Sequence, residues 1–200
     1  MKCERAIQKL KEGSRLTIAA LGDSLTYGWM VRTGFVDIFE DMLKDKYPQA
    51  VFKIIKRGVP GDTAQGGIFR IKKDIISAMP DLVMVQFGLN DALSGYTPAE
   101  FYNNMRHIVS VLKEETDSEI LLMTSPLIYD EEMMNLARPY YDRIFQISEE
   151  MSLPAALVHK YWEKKIAAGV NHYELVQSDM AHPTEAGHRL MAEAVMELFQ

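Results

Sequence analysis

Short apolar runs alternate along this chain with stretches in which apolar residues recur at helical spacing. The runs predict buried strands, because apolar and polar residues do not alternate within them as they do on a half-exposed sheet. They cover 16–21, 51–55, 82–87, 120–124 and, more weakly, 155–158. Between the runs, apolar residues three and four positions apart predict amphipathic helices. The clearest helical stretches are 68–79, 101–112 and 186–198.

Strands alternating with helices predict a parallel sheet covered by helices on both faces, the α/β class. One helix start is marked by Thr97-Pro98-Ala99-Glu100, a capping box with proline at the first helical position. No linker, repeat or shift in composition divides the chain, so we predict a single domain over 1–200. Within it, 1–14 form either a frayed or a helical extension.

Polar and glycine-rich segments follow three of the apolar runs directly. Gly22-Asp23-Ser24 follows the first run, 57–61 the second, and Gly88-Leu89-Asn90-Asp91 the third. Parallel α/β sheets bind ligands beyond the carboxyl ends of their strands. The sequence therefore predicts one functional site where these three segments meet.

Composition and charge narrow the class of protein. The chain has 48% hydrophobic and 25% charged residues, which is typical of a soluble globular protein and excludes a disordered one. A net charge of −6 without a basic stripe argues against a nucleic-acid partner. No apolar run is long enough for stable membrane insertion. The sequence leaves the oligomeric state open, and a homo-oligomer is compatible with it.

The cysteine content and the first residues favour a cytoplasmic location. The single cysteine, Cys3, has no partner for an internal disulfide, which fits a reducing compartment. The polar start carries charges throughout and has no apolar core behind a basic end, so we expect no secretory signal.

Ser24 is a candidate nucleophile because it lies at a strand end. A serine hydroxyl needs a neighbouring base to take its proton, and the base needs an acceptor to orient it. Asp179 and His182 stand three residues apart in a loop, close enough for the carboxylate to reach one nitrogen of the imidazole. Pro183 favours an extended backbone at His182 and suits the first turn of the last helix.

Acyl transfer also needs hydrogen-bond donors for the oxyanion of its tetrahedral intermediate. Gly61 can offer a backbone N–H that a substrate approaches without side-chain obstruction. Asn90 can offer its side-chain amide, and the backbone N–H of Ser24 is a third candidate donor.

These residues resemble the sequence blocks of the GDSL hydrolases, also called SGNH after their serine, glycine, asparagine and histidine. The four blocks here are Gly22-Asp23-Ser24-Leu25, Gly58-Val59-Pro60-Gly61-Asp62-Thr63, Gly88-Leu89-Asn90-Asp91 and Asp179-Met180-Ala181-His182. They occur in the family's order over nearly the whole chain, whereas a lone GDSL tetrapeptide would be a weak match. The G-x-S-x-G elbow of the α/β-hydrolases is absent.

The resemblance implies a flavodoxin-like three-layer α/β/α sandwich, with a five-stranded parallel sheet in the order 2-1-3-4-5. It implies esterase, lipase or thioesterase activity without a metal or an organic cofactor. Ser24 would be the nucleophile, His182 the base and Asp179 its orienting partner, with Gly61 and Asn90 as oxyanion donors. One departure concerns His159, since many relatives carry an acidic residue just after the fifth strand; we expect this to be a structural or substrate-side variation.

The same residues have plain structural alternatives. Ser24 could be a capping serine, and Asn90 could bond its own backbone. We expect Asp23 to bond loop N–H groups, Asp91 to be a local cap or loop tie, and Gly58 to let its loop turn.

The remaining candidates are weaker. His107 and His188 are expected on helix surfaces or in packing, while His159 and His172 are left undecided. A metal site built from Asp179, His182 and Asp23 would leave the other block residues without a role, so no metal is expected.

Three large side chains flank the blocks: Trp29, Met30 and Met180. One hypothesis is that they line an apolar acyl pocket, and the alternative is ordinary packing.

The function predicted from the sequence is hydrolysis of a small carboxylic (O-acyl) ester through an acyl-enzyme intermediate. Two alternatives are an acyltransferase with the same triad and a non-catalytic carbohydrate- or lipid-binding module. A nucleotide-binding flavodoxin-like protein fits less well, because no glycine-rich phosphate loop follows the first strand. Acetylated sugars, short-chain lipids, lysophospholipids and thioesters all remain compatible as substrates.

Overall fold

The computed structural model describes all 200 residues. Five parallel strands form one sheet in the order β2-β1-β3-β4-β5. The strands are β1 Leu16–Gly22, β2 Phe52–Gly58, β3 Leu82–Gln86, β4 Glu119–Met123 and β5 Ala155–Ala156. The helices are α1 Glu4–Glu12, α2 Ser24–Tyr27, α3 Phe35–Lys46, α4 Ala64–Asp74, α5 Leu89–Leu93, α6 Pro98–Glu115, α7 Glu131–Met151, α8 Val158–Ala167, α9 His172–Leu175 and α10 Glu185–Met196. Short 3₁₀ turns cover Ile76–Ala78 and Glu197–Phe199.

Helices cover both faces of the sheet, as predicted for a three-layer α/β/α sandwich. Every residue of β1 is buried, and its side chains alternate between two cores. Ile18 and Ala20 pack in the core with α1, α3, α8 and α10, while Ala19 and Leu21 pack in the core with α4 and α6. The helix α7 contributes to both cores. The predicted fold class and strand order are confirmed.

Strand boundaries differ from the prediction at both edges of the sheet. β2 extends to Gly58, and it stays paired with β1 as far as Gly22 opposite Gly58. Its C-terminal half is polar because β2 is an edge strand with one side open to water. β5 is reduced to two residues, and Val158 already begins α8.

The first residues pack against the sandwich as a helix. Of the two alternatives for 1–14, the structure has α1 over Glu4–Glu12, ending at Gly13 with φ of 67°. Cys3 is fully buried, and its backbone N–H donates to Leu198 O at 3.1 Å. Burial raises the pKa of the Cys3 thiol well above its ordinary value.

None of the helices combines the length and apolar character needed to cross a membrane.

Candidate active site

Ser24 begins the short helix α2, directly after β1 ends at Gly22. Asp23 caps this helix, since its Oδ1 accepts a hydrogen bond from Leu25 N at 2.9 Å. As the first helical residue, Ser24 has a backbone N–H with no acceptor inside the helix. The turn therefore places both the Ser24 hydroxyl and a free backbone N–H at the carboxyl edge of the sheet.

The hydroxyl of Ser24 faces a histidine from the opposite end of the chain. Ser24 Oγ lies 3.0 Å from His182 Nε2, and His182 Nδ1 lies 2.6 Å from Asp179 Oδ2. Asp179 Oδ1 accepts hydrogen bonds from the backbone N–H groups of Ala181 and His182 at 3.0 and 2.9 Å. Serine, imidazole and carboxylate thus form one continuous hydrogen-bonded chain, the arrangement that activates a hydroxyl.

The charge state of Asp179 supports this arrangement. Partial burial acts to raise the pKa of its carboxyl, but the hydrogen bonds from Ala181 N, His182 N and the imidazole outweigh it and hold the pKa below its usual value. An ionised carboxylate accepts from Nδ1–H, which leaves the lone pair of Nε2 toward Ser24. The ring is therefore set in the tautomer that can take a proton from serine.

Gln177 fastens the loop that carries His182. Its backbone N–H donates to His182 O at 2.7 Å, and its side-chain amide donates to Pro183 O at 2.8 Å and to Trp29 O at 3.2 Å. The last bond joins this loop to the segment that follows α2. Sequence reasoning missed Gln177, because nothing in its local pattern separates it from a solvated loop glutamine.

Two candidate oxyanion donors meet at the neighbouring loops. Gly61 has a φ of 79°, a region that favours glycine, and its N–H donates to no protein acceptor. Asn90, in α5, donates one hydrogen of Nδ2 to Asp62 O at 3.0 Å. The second hydrogen of Nδ2 has no protein acceptor and can serve a ligand.

Asp23 has the structural contacts expected of it. Its Oδ2 accepts from Gln86 Nε2 at 3.2 Å, and Gln86 Oε1 accepts from Thr26 Oγ1 at 3.1 Å. Complete burial raises the pKa of Asp23 to about 7. The carboxyl is thus engaged with α2 and β3 rather than with His182.

Asp91 is a loop tie, as one of the two expectations had it, but it joins segments that are far apart along the chain. Its Oδ1 accepts from Ala64 N, the first residue of α4, at 3.0 Å. Its Oδ2 is buried without a partner, and burial raises the pKa of Asp91 to about 6. The start of α4 is thereby fixed against α5, which carries Asn90.

Gly58 also differs from its predicted role. It lies within β2 and does not form a turn. A Cβ at this position would lie 2.2 Å from Tyr27 N, so glycine is needed for the close approach of α2 to β2.

The structure has no group of three or more His, Cys, Asp or Glu side chains placed to bind a metal ion.

Sequence comparison identifies the family of this chain. A family model described as the GDSL-like Lipase/Acylhydrolase family matches residues 20–190. The chain belongs to this family. Membership makes the protein a carboxylic ester hydrolase of the serine type.

Two curated relatives of this GDSL-like lipase/acylhydrolase are named esterases. An arylesterase of Vibrio mimicus is 22% identical over 90% of this chain and 86% of its own length. An acetylxylan esterase of Geobacillus stearothermophilus is 24% identical over 94% of this chain and 95% of its own length. The crystal structure of Axe2, an acetylxylan esterase from Geobacillus stearothermophilus, superposes with a TM-score of 0.82 at 23% identity, covering 92% of this chain and 94% of Axe2. That superposition supports the fold.

The other four histidines of this GDSL-like lipase/acylhydrolase are either packed inside the fold or exposed on a helix. His188 is 1% exposed, accepts from Phe35 N through Nδ1 at 3.2 Å, and has its pKa lowered to about 4 by burial. His159 is buried with Nδ1 2.8 Å from Thr124 Oγ1, and burial lowers its pKa to about 4. His172 lies between aromatic rings, and His107 is exposed on α6.

The three residues of the hypothetical acyl pocket are only partly brought together. Trp29 is 40% and Met30 73% exposed, on the segment after α2, while Met180 is half-buried in the His182 loop and packs against the core. Gln177 joins Trp29 to the His182 loop, as described above. Of the three, Trp29 contacts the Ser24 backbone, since its N–H donates to Ser24 O at 3.0 Å. We refer to Trp29, Met30 and Met180 together as the apolar rim.

Proposed function

We propose that Ser24 is the nucleophile of this esterase, His182 its general base and Asp179 the group that orients His182. One observation carries this proposal: the hydrogen-bonded chain from Ser24 Oγ through the imidazole to Asp179, with distances of 3.0 and 2.6 Å. In this chain the carboxylate fixes the ring and the ring accepts the serine proton.

In the first half of the proposed cycle, Ser24 Oγ attacks the carbonyl carbon of the ester while His182 Nε2 takes the serine proton. The carbonyl oxygen becomes an oxyanion, which accepts hydrogen bonds from the N–H of Ser24, the N–H of Gly61 and the amide of Asn90. His182 then donates its proton to the leaving alcohol, and an acyl-Ser24 ester remains.

In the second half, water takes the place of the alcohol. His182 removes a proton from the water as it attacks the acyl carbon, and the same three donors stabilise the second oxyanion. Collapse of this intermediate releases the carboxylic acid and returns the proton to Ser24.

We propose that the substrate is a small O-acyl ester. The site is open to solvent at Gly61, which is exposed and would have no heavy atom within 4 Å of an added Cβ. The rim residues Trp29 and Met30 are exposed as well. An open site accommodates a short acyl group on a larger alcohol without enclosing a long chain. The relatives named arylesterase and acetylxylan esterase support this substrate class.

We also propose that the enzyme works in the cytoplasm, which its single cysteine supports. Immunoblotting of cytoplasmic and secreted fractions tests this; recovery mainly in the secreted fraction would contradict it.

The variant Ser24→Ala tests the proposed nucleophile with p-nitrophenyl acetate as substrate. We expect kcat to fall on the order of 10⁶-fold, because the rest of the site supports only slow hydrolysis without a nucleophile. Ser77→Ala, an exposed serine outside the site, is the matched control and should keep full activity. A folded Ser24→Ala protein with near-normal turnover would exclude Ser24 as the nucleophile.

A further inference from the structure

Arg70, on α4, has an unusually complete set of contacts for a helix-surface arginine. Its side chain is 17% exposed, and Nε lies 2.7 Å from Asp62 Oδ2. Nη1 donates to Arg57 O at 2.8 Å and to Asp74 Oδ2 at 3.1 Å, and Nη2 donates to Gly22 O at 2.8 Å. One planar group thus joins two strand ends and a loop.

Two of these acceptors, Gly22 and Asp62, lie in the segments that carry the proposed oxyanion donors. Gly22 ends β1, two residues before Ser24, and Asp62 directly follows Gly61. Asp62 O in turn accepts from Asn90 Nδ2 at 3.0 Å, which orients the amide with its nitrogen toward the loop. Through Gly22 and Asp62, Arg70 is therefore connected to all three donors.

Gly61 cannot hold its own position by packing. It has no side chain, is exposed, and has open space where a Cβ would be. The position of its N–H must come from the neighbours in the loop, and Asp62 is the neighbour that Arg70 binds.

We propose that Arg70 is a positioning residue that fixes the relative placement of the Ser24, Gly61 and Asn90 donors. The proposal rests on the oxyanion roles given above. Arg70 is flanked by the carboxylates of Asp62 and Asp74, so its charge is already neutralised locally. It acts through the rigid fork of its guanidinium, whose several donors bind three directions at once; the single ammonium of lysine cannot reproduce this geometry.

Steady-state kinetics of Arg70→Lys and Arg70→Ala with p-nitrophenyl acetate test the proposal. Misplaced oxyanion donors impair the transition state more than the bound ester, so kcat should fall while KM changes less than about twofold. We expect a loss in kcat of about 10²-fold for Arg70→Ala, with Arg70→Lys intermediate. Lys73→Ala removes an exposed cation from the same helix and should leave kcat unchanged.

A double-mutant comparison separates positioning from a general loss of fold. Asn90→Ala alone should lower kcat by about 10²- to 10³-fold. If Arg70 acts partly through Asn90, then Arg70→Ala costs a smaller factor in the Asn90→Ala background than in the wild type. A general structural defect would cost the same factor in both backgrounds.

These measurements distinguish failure of the Arg70 inference from failure of the proposed function. A normal kcat in both Arg70 variants, beside the expected loss in Asn90→Ala, would overturn the inference and leave the proposed function standing. A rise in KM at constant kcat, or equal factors in both backgrounds, would overturn it too. A normal kcat in Asn90→Ala would instead contradict the proposed oxyanion hole. If Arg70→Ala does not fold, Arg70→Lys replaces it in the same comparison.

Discussion

The carboxylate of Asp179 binds His182 at two points. Its Oδ1 accepts from the backbone N–H of His182 at 2.9 Å, and its Oδ2 accepts from ring Nδ1 at 2.6 Å. The two bonds fix both the backbone and the ring of one residue, so the imidazole is aimed at Ser24 before substrate arrives. Preorganisation of this kind lowers the cost of reaching the transition state.

Asp179→Asn should lower kcat by about 10³- to 10⁴-fold, since an amide can present N–H toward the ring and favour the wrong tautomer. The backbone bond from His182 to Oδ1 can persist, so the fold should be retained. Kinetics with p-nitrophenyl acetate and circular dichroism check the two effects. Asp45→Asn, an exposed site on α3, is the control. A loss below tenfold would argue against the orienting role.

Gly61→Ala should show an effect on kcat that is separate from the effect of backbone strain on stability. An added Cβ meets open space, so the expected cost arises from the positive φ of 79° and amounts to about 1–2 kcal/mol in the free energy of unfolding. Gly169 also has a positive φ and open space, which makes Gly169→Ala a matched control. Both variants should lose similar stability, but only Gly61→Ala should lose kcat, by about tenfold or more. Alanine keeps the N–H, so the loss would come from its methyl group obstructing the approach of substrate. Equal activity in the two variants would contradict a need for unobstructed approach at residue 61.

His188 should make the stability of the fold depend on pH. Burial lowers its pKa to about 4 in the folded state, against about 6.5 when exposed; nearby His182 lowers it further and Asp37 opposes this. Between these values the unfolded state binds the proton first. The stabilisation from His188 is therefore intact above pH 6.5 and is lost as the pH falls toward 4.

Urea denaturation of the wild type and His188→Gln at several pH values measures this effect. The stability advantage of the wild type should shrink by about 3 kcal/mol between pH 7 and pH 4. The raised pKa of Asp23 has an opposite dependence, but it is common to both proteins and cancels in the difference. His107→Gln, exposed on α6, should show no such trend. A difference that stays constant with pH would rule out the buried neutral state of His188.

Met180→Ser tests whether the apolar rim contacts the acyl group. If it does, the ratio of kcat/KM for p-nitrophenyl hexanoate over acetate should fall by about fourfold, the value of one buried methylene. Met79→Ser is the control. Like Met180, Met79 has a positive φ, but it is 83% exposed and lies before β3, at the amino ends of the strands and away from Ser24. An unchanged ratio in Met180→Ser would leave ordinary packing as its role.

The architecture could be predicted from the sequence because its central strands are buried on both faces. The apolar run at 16–21 matches β1 to within one residue, and the capping box before α6 is present with Thr97 Oγ1 accepting from Glu100 N. The end of the edge strand β2 could not be predicted in this way, because Lys56 and Arg57 are exposed and interrupt the apolar run.

The residues of the four blocks could also be chosen from the sequence, because each follows a strand or precedes a helix at one edge of the sheet. The contacts that place them could not. The bond from Ala64 N to Asp91 spans 27 residues, and Arg70 has the spacing of an ordinary surface cation on a helix. Such roles depend on which segments meet in space, and local sequence patterns do not contain that information.

Covalent labelling by a fluorophosphonate measures serine activation most directly, because only an activated hydroxyl displaces the fluoride. Intact mass and peptide mapping should reveal one adduct per chain, located on Ser24. The adduct should be absent from Ser24→Ala and should form far more slowly in His182→Ala. Labelling of a different residue, or equal labelling rates with and without His182, would contradict the proposed mechanism.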